Sequence, residues 1–80
     1  MIRCLILKNG TLLISEISEI DSEIGEPDCQ LINPYEIIDE QLVRWPKITE
    51  QKSILINSDS ILTLVEPLPK ILLEYQNIFT

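Results

Sequence analysis

The segment Lys8-Asn9-Gly10-Thr11 lies between two apolar stretches of the chain and decides the fold. Gly10 readily adopts the positive φ angle that a tight hairpin needs, and Asn9 tolerates such an angle. Apolar residues alternate on both sides of the segment. The stretch therefore predicts a turn between two antiparallel strands.

Length and composition indicate one small folded domain over residues 1–80. The chain is 45% hydrophobic and contains 2 glycines, which is rich enough for a packed core. A domain of this size buries only about 60% of its unfolded surface, so it is marginally stable unless it is idealised or oligomeric. We find no cationic leader and no apolar run of membrane-spanning length, and we expect a cytoplasmic protein.

The charge of the chain argues against nucleic-acid binding. Six basic residues against 13 acidic ones give a net charge of −7, and residues 16–40 contain nine carboxylates and no Lys or Arg. Nucleic-acid binding normally requires a basic stripe. The one basic cluster is Arg44, Lys47 and Lys52, which we interpret as solubilising charge, with a weak phosphate contact as the alternative.

The sequence offers no catalytic, cofactor-binding or metal-binding residues that we would assign. There is no histidine, and we interpret Cys4 and Cys29 as reduced, buried apolar side chains. Carboxylate pairs such as Glu36 with Asp39 or Glu40 lack a recognisable pocket context. The acids of residues 21–28 do not have the ligand spacing of a calcium loop, so that segment is interpreted as a solvated turn.

The apolar pattern is mainly that of strands. Residues 2–8 are apolar on both faces, which predicts a first strand covered on both sides. In the second strand the apolar face changes, and we expect a bulge near Ser18. The third strand is predicted from Cys29 to Ile38, with a bulge or edge position at Pro34 because proline cannot donate to a ladder.

The second half of the chain is less regular. Residues 39–52 are interpreted as a connection with a short irregular strand around residues 43–45. Trp45 is favoured as a lid over the core edge, with a partner anchor as the alternative. Residues 53–65 predict two short strands joined by a hairpin or sharp corner at 57–60. From Pro67 onward an apolar helical stripe predicts a docked C-terminal helix. The stripe consists of Ile71, Leu72, Tyr75, Ile78 and Phe79.

The turn belongs to a longer spacing that resembles the first motif of Sm-like proteins. Residues 7–11 match its apolar residue, basic residue and glycine turn. The hydrophobic, small and hydrophobic positions that follow match Leu13, Ser15 and Ile17, and the motif's last pair falls at residues 20–21. Residues 54–64 resemble the second motif. The whole chain also resembles short, acidic, uncharacterised Sm-like proteins of bacteriophages of marine bacteria, which would place it in the host cytoplasm.

The resemblance implies a mainly β fold: a small, strongly bent, five-stranded antiparallel barrel over residues 1–66, with the helix of residues 67–80 packed on it. In the family, the last two strands pair between subunits and build a ring. The chain begins at strand one and lacks the family's N-terminal helix, so we expect the C-terminal helix to cover that part of the barrel.

The positions that match the family's RNA site depart from its pattern. The asparagine of the first motif falls near Gln30, and the Arg-Gly pair of the second motif is replaced by Asn57-Ser58. Losing the arginine removes a planar cation that can hold phosphate or stack on a base. We therefore predict that Gln30, Asn57 and Ser58 do not form a working RNA site.

These observations favour a non-enzymatic structural or interaction module that associates with itself or with another protein through its barrel edges. No cofactor and no membrane contact are expected. The alternative is an RNA-binding Sm-like ring with a non-standard site.

Overall fold

The computed structural model describes residues 1–80 as six strands, one 3₁₀ turn and one α-helix. The strands are β1 (Ile2–Leu7), β2 (Leu12–Glu19), β3 (Cys29–Ile38), β4 (Gln41–Arg44), β5 (Ser53–Ile56) and β6 (Ile61–Val65). The 3₁₀ turn (Ser58–Ser60) separates β5 from β6, and helix α1 (Pro69–Asn77) follows β6. With nine residues, α1 is too short to cross a membrane.

The first turn confirms the prediction from the sequence. Gly10 has a φ angle of 91°, and its N–H donates to the carbonyl of Leu7 at 2.9 Å. The Leu7 N–H donates to the Thr11 carbonyl at 2.9 Å, which leaves a three-residue loop. Asn9 does not have a positive φ; instead its Oδ1 accepts a hydrogen bond from the Thr11 N–H at 3.0 Å. The asparagine thus stabilises the loop through its side chain.

All the strands pair antiparallel in the order β4-β3-β2-β1-β6, and β5 also pairs with β3. This confirms a mainly β, antiparallel fold with a C-terminal helix. The number of strands is six rather than the expected five, because β4 and β5 share β3. The first half of β3, residues 29–32, pairs with β5, and the second half, residues 35–38, pairs with β4. The sheet does not close on itself.

The change of partner along β3 coincides with an irregularity at Asn33 and Pro34. The register between β2 and β3 shifts there, with these two residues opposite the single residue Ser15. Asn33 has a φ of 54°, and Pro34 has no N–H to donate, so regular pairing stops. The bulge expected at Pro34 is confirmed. The one expected near Ser18 is wrong, because the proline of β3 fixes the position of the shift.

Two apolar clusters lie on opposite faces of the sheet, because successive strand residues point to opposite sides. The larger cluster contains Leu5, Leu7, Leu13, Cys29 and Leu31, and the smaller contains Cys4, Ile14 and Tyr75. β1 contributes to both, which confirms that its two faces are covered. Both cysteines are buried and free, and burial raises the pKa of each thiol.

Helix α1 covers the face of the smaller cluster. Pro69 occupies its first turn, where the missing N–H costs nothing. Tyr75 is the one fully buried residue of the helix, and Ile71 packs beside it against the cluster. Ile78 and Phe79 lie beyond the end of the helix. The Phe79 and Tyr75 rings pack edge-to-face, with their centroids 5.1 Å apart. The C-terminal helix thus packs on the face of the sheet that also contains Cys4 of β1.

The Tyr75 hydroxyl joins the helix to the irregularity of β3. It donates toward the carbonyls of Asn33 at 2.9 Å and Ile32 at 3.3 Å. On the opposite strand, the buried Ser15 Oγ donates toward the carbonyls of Glu16 at 2.8 Å and Ile32 at 3.1 Å. Burial raises the pKa of the Tyr75 phenol, which therefore stays protonated and able to donate.

The strands in the second half of the chain are joined by a corner between β5 and β6 and by a tight turn between β3 and β4. β5 pairs with β3 whereas β6 pairs with β1, so residues 57–60 form a corner and not a hairpin. The expected short strand around residues 43–45 is present one or two residues earlier, as β4. A two-residue turn joins β3 to β4, and its residues Asp39 and Glu40 have φ angles of 49° and 65°.

The hydroxyl of Tyr75 provides the first test. In Tyr75→Phe the partly buried carbonyl of Asn33 loses its donor, and we expect unfolding to require about 1 kcal/mol less free energy. Urea denaturation followed by circular dichroism measures this. Tyr35→Phe is the matched control, because the Tyr35 hydroxyl has no hydrogen bond within the protein. An equal loss in both variants would contradict the role given to Tyr75.

The turn at Asp39 and Glu40 provides the second test. Positive φ angles cost about 1–2 kcal/mol at a residue with a side chain, and glycine avoids that cost at a smaller entropic one. We expect Glu40→Gly to raise the urea midpoint. Glu36→Gly is the control, because that residue lies inside β3 and its replacement should lower the midpoint. A lower midpoint for Glu40→Gly would show that the turn is not strained.

Candidate functional site

Strand β6 leaves one edge of the sheet open. It pairs with β1 on one side and has no neighbouring strand on the other. Leu62, Leu64 and Val65 are exposed by 64%, 47% and 44%. The strand contains no charged residue and no proline. We call β6 with its unpaired side the open edge; it lacks the charges and prolines with which proteins normally protect an edge strand.

A shallow groove runs beside the open edge, between β6 and the ends of β2 and β3. It has a volume of about 490 Å³. Six of its ten lining residues are hydrophobic, among them Ile17, Ile20 and Ile61. The apolar surface of β6 therefore continues onto the neighbouring part of the sheet.

The other edge of the sheet is formed by β4 and β5. In β5, Ile54 and Ile56 point inward and pack against the larger core cluster, while Leu55 is 53% exposed. β5 is uncharged, like β6, and has four residues against five. The two ends of the sheet thus present uncharged strands of similar length.

Asn57 and Ser58 lie at the corner between β5 and β6, on an acidic hollow. The hollow is also lined by four carboxylates, which belong to Glu23, Glu26, Asp28 and Asp59. The Asp28 carboxylate accepts hydrogen bonds from the Ser58 N–H and Oγ, both at 2.7 Å. These bonds lower the pKa of Asp28, the backbone bond first. The Asp28 carboxylate therefore fixes the corner to the loop between β2 and β3.

Gln30 lies on β3 and is not among the residues that line the acidic hollow. Its Oε1 accepts from the Ser18 Oγ at 3.2 Å, and its Nε2 donates to the Ser53 Oγ at 2.7 Å. The amide thus links three neighbouring strands. The structure brings Asn57 and Ser58 together but places Gln30 in a separate hydrogen-bonded row.

A second hollow, which we call the cationic cleft, lies where β3 changes partner. It has a volume of about 330 Å³. Its lining residues are Asn33, Pro34, Tyr35, Arg44, Trp45, Gln51, Lys52, Ile78 and Phe79. Trp45 is half-buried and packs against the larger core cluster, in agreement with its interpretation as a lid. Two members of the basic trio, Arg44 and Lys52, meet here, while Lys47 does not line the cleft.

The convergence at the cationic cleft could not be read from the chain. Its residues come from β3, β4, the segment before β5 and the turn after α1, and only the basic residues around Trp45 gave a signal. No three acidic or cysteine side chains come close enough to hold a metal ion. The structure thus offers two candidate surfaces, the open edge and the cationic cleft.

Comparison with known proteins assigns the chain to a family. All of residues 1–80 match the family described as "Family of unknown function (DUF6561)". The chain belongs to this family. No curated protein matches it.

The Asp28 contact predicts how stability depends on pH. Because the pKa of Asp28 is lower in the folded chain, its contribution is present above the unfolded value of about 3.9 and is lost as the pH falls through the folded value. We expect Asp28→Asn to lower the urea midpoint at about pH 6, and its difference from the wild type to shrink as the pH falls below the unfolded value. Asp21→Asn, which removes the same charge from the same loop, is the control. A pH-independent difference would contradict the assignment.

Proposed function

We propose that this member of DUF6561 is a non-enzymatic interaction module, built on an Sm-like scaffold, that assembles with copies of itself through its strand edges. The observation that carries the proposal is the open edge, an uncharged strand with an unpaired backbone and exposed leucines. Such an edge is a template for another strand, and the added main-chain hydrogen bonds would supply the affinity.

The arrangement favoured by the two edges is head-to-tail, with β6 of one subunit beside β5 of the next. Both strands are uncharged and similar in length, and each exposes leucine, at Leu62 and Leu55. A contact between two different surfaces repeats from subunit to subunit and closes into a ring when the rotation allows. This is also the way in which the resemblance to Sm-like proteins implies assembly.

The small core supports the same proposal. Ten of the 80 residues are buried, and large apolar side chains are exposed on β5, β6 and α1. A domain this small gains stability from association. Burying Leu62 and Leu64 against a neighbour would each remove apolar surface from water, at roughly 25 cal/mol per Å².

The net charge adds a distinctive expectation. Each subunit carries −7, so subunits repel one another while the contact surfaces attract. Salt screens the repulsion and leaves apolar burial intact. Assembly should therefore strengthen when the ionic strength rises, which is the opposite of what charge-driven binding shows.

An RNA-binding ring, the alternative function, has weaker support. Asn57 and Ser58 lie on a hollow with four carboxylates, which repel phosphate, and the scaffold alone does not imply an activity. A different protein that donates a strand would use the same open edge. RNA and a strand-donating protein are therefore the two alternatives to self-association.

Size-exclusion chromatography with light scattering tests the assembly. We expect the wild type to form a multimer that grows more abundant with salt, and Leu62→Lys to weaken association at least tenfold, because a charge would have to be buried at the contact. Leu73→Lys is the matched control, since Leu73 is similarly exposed, by 59%, but lies on α1. Circular dichroism verifies that both variants fold.

Two outcomes would contradict the proposal. One is a wild type that stays monomeric at all concentrations and salt levels, and the other is a multimer that both lysine variants weaken equally. Filter binding to oligouridine at low salt tests the alternative. Tight binding would favour the RNA-binding ring.

A further inference from the structure

We propose that the cationic cleft binds a small molecule that carries an anionic group on a flat aromatic ring system. The inference concerns a surface that shares no residue with the open edge. It rests on the charges, the rings and the fixed walls of the cleft.

The cations of the cleft have no carboxylate partner. The one ion pair of the structure joins the Met1 amino group to Glu16, so neither Arg44 nor Lys52 is neutralised within 4.0 Å. Arg44 uses one N–H, donated from Nη2 to the Glu50 carbonyl at 2.8 Å. Its other donors and the Lys52 ammonium remain for a ligand, and together they suit a phosphate or carboxylate group.

The aromatic residues supply a surface for a ring. Tyr35, Trp45 and Phe79 line the same cleft as the two cations. The Tyr35 and Phe79 rings hold each other edge-to-face, with centroids 6.0 Å apart and an interplanar angle of 79°. Aromatic side chains stabilise flat ligands by stacking, and the amides of Asn33 and Gln51 can hydrogen-bond to polar atoms at a ring edge.

The walls of the cleft are fixed by backbone hydrogen bonds. The Asn33 N–H donates to the Lys52 carbonyl at 2.6 Å, and the Trp45 N–H donates to the Pro34 carbonyl at 3.2 Å. Together with the Arg44 contact, they connect β3, β4 and the segment before β5. The volume of about 330 Å³ lies at the lower end of small-ligand sites, and a pre-formed site loses little entropy on binding.

The charge of the whole chain favours a small anion over a polymer. Two cations can hold one phosphate or carboxylate group. Further phosphates of a nucleic acid would extend over a surface that carries 13 acidic residues. Discrimination against polyanions is therefore part of the proposal.

The indole N–H signal of Trp45 is a direct probe, because the chain contains one tryptophan. We would titrate the full chain with adenosine 5′-monophosphate, indole-3-acetate and inorganic phosphate while recording ¹H–¹⁵N spectra. We expect a saturable shift with at least one of the two aromatic anions, and at least about tenfold weaker binding of inorganic phosphate, which has no ring to stack. Stronger binding of the nucleotide would identify phosphate as the preferred group, and stronger binding of indole-3-acetate would identify carboxylate.

Lys52→Gln should weaken binding about tenfold, because it removes a charge-assisted hydrogen bond from the cleft. Lys70→Gln removes the same charge from α1, outside the cleft, and should change binding less than about twofold. The proposal is overturned if neither aromatic anion gives a saturable shift at about 5 mM and low salt. It is equally overturned if the two glutamine variants behave alike, or if inorganic phosphate binds as well as the aromatic anions.

Discussion

The change of pairing partner in the middle of β3 is the constraint on which the rest of the structure depends. Pro34 cannot donate to a ladder, and Asn33 turns the backbone to a positive φ, so one long strand serves two short ones. The carbonyls freed at this point need donors, because an unpaired buried acceptor costs free energy. The Tyr75 hydroxyl supplies one, and this bond ties the C-terminal helix to the middle of β3.

The acidic residues contribute little to the pairing of the strands. The chain of 80 residues contains thirteen acidic residues, and four of them lie in the loop between β2 and β3. Within the chain, the Asp28 carboxylate fixes the corner at Ser58, and the Glu16 carboxylate pairs with the amino group of Met1. The net charge of −7 is repulsive toward other anions and toward other copies of the chain. A strand edge without charge, such as β6, is therefore the place where association meets the least repulsion.

Local chemistry explains which parts of the fold could be predicted from the sequence. The turn at Gly10, the bounds of β3 and the docked helix depend on residues close in sequence, where glycine, proline and apolar spacing act directly. The turn at Asp39 and Glu40 gave no such signal, because Glu40 occupies the second turn position, where glycine is typical. The division of β3 between two strands was missed because pairing partners are set by tertiary packing. The negative charge of the hollow at Asn57 and Ser58 could be predicted, since carboxylates are frequent in residues 21–28 and Asp59 follows Ser58 directly.

The cationic cleft follows from the same interruption that shapes the sheet. Because regular pairing stops at Asn33 and Pro34, β4 and β5 do not join into one strand, and a gap remains between the end of one and the start of the other. Arg44 ends β4 and Lys52 precedes β5, so the gap carries a cation on each side. Trp45 and Phe79 cover the gap from the connection and from the turn after the helix. A defect in strand pairing, to which the Tyr75 and Ser15 hydroxyls donate, thereby brings Arg44, Trp45 and Lys52 together with the Phe79 ring from the end of the chain.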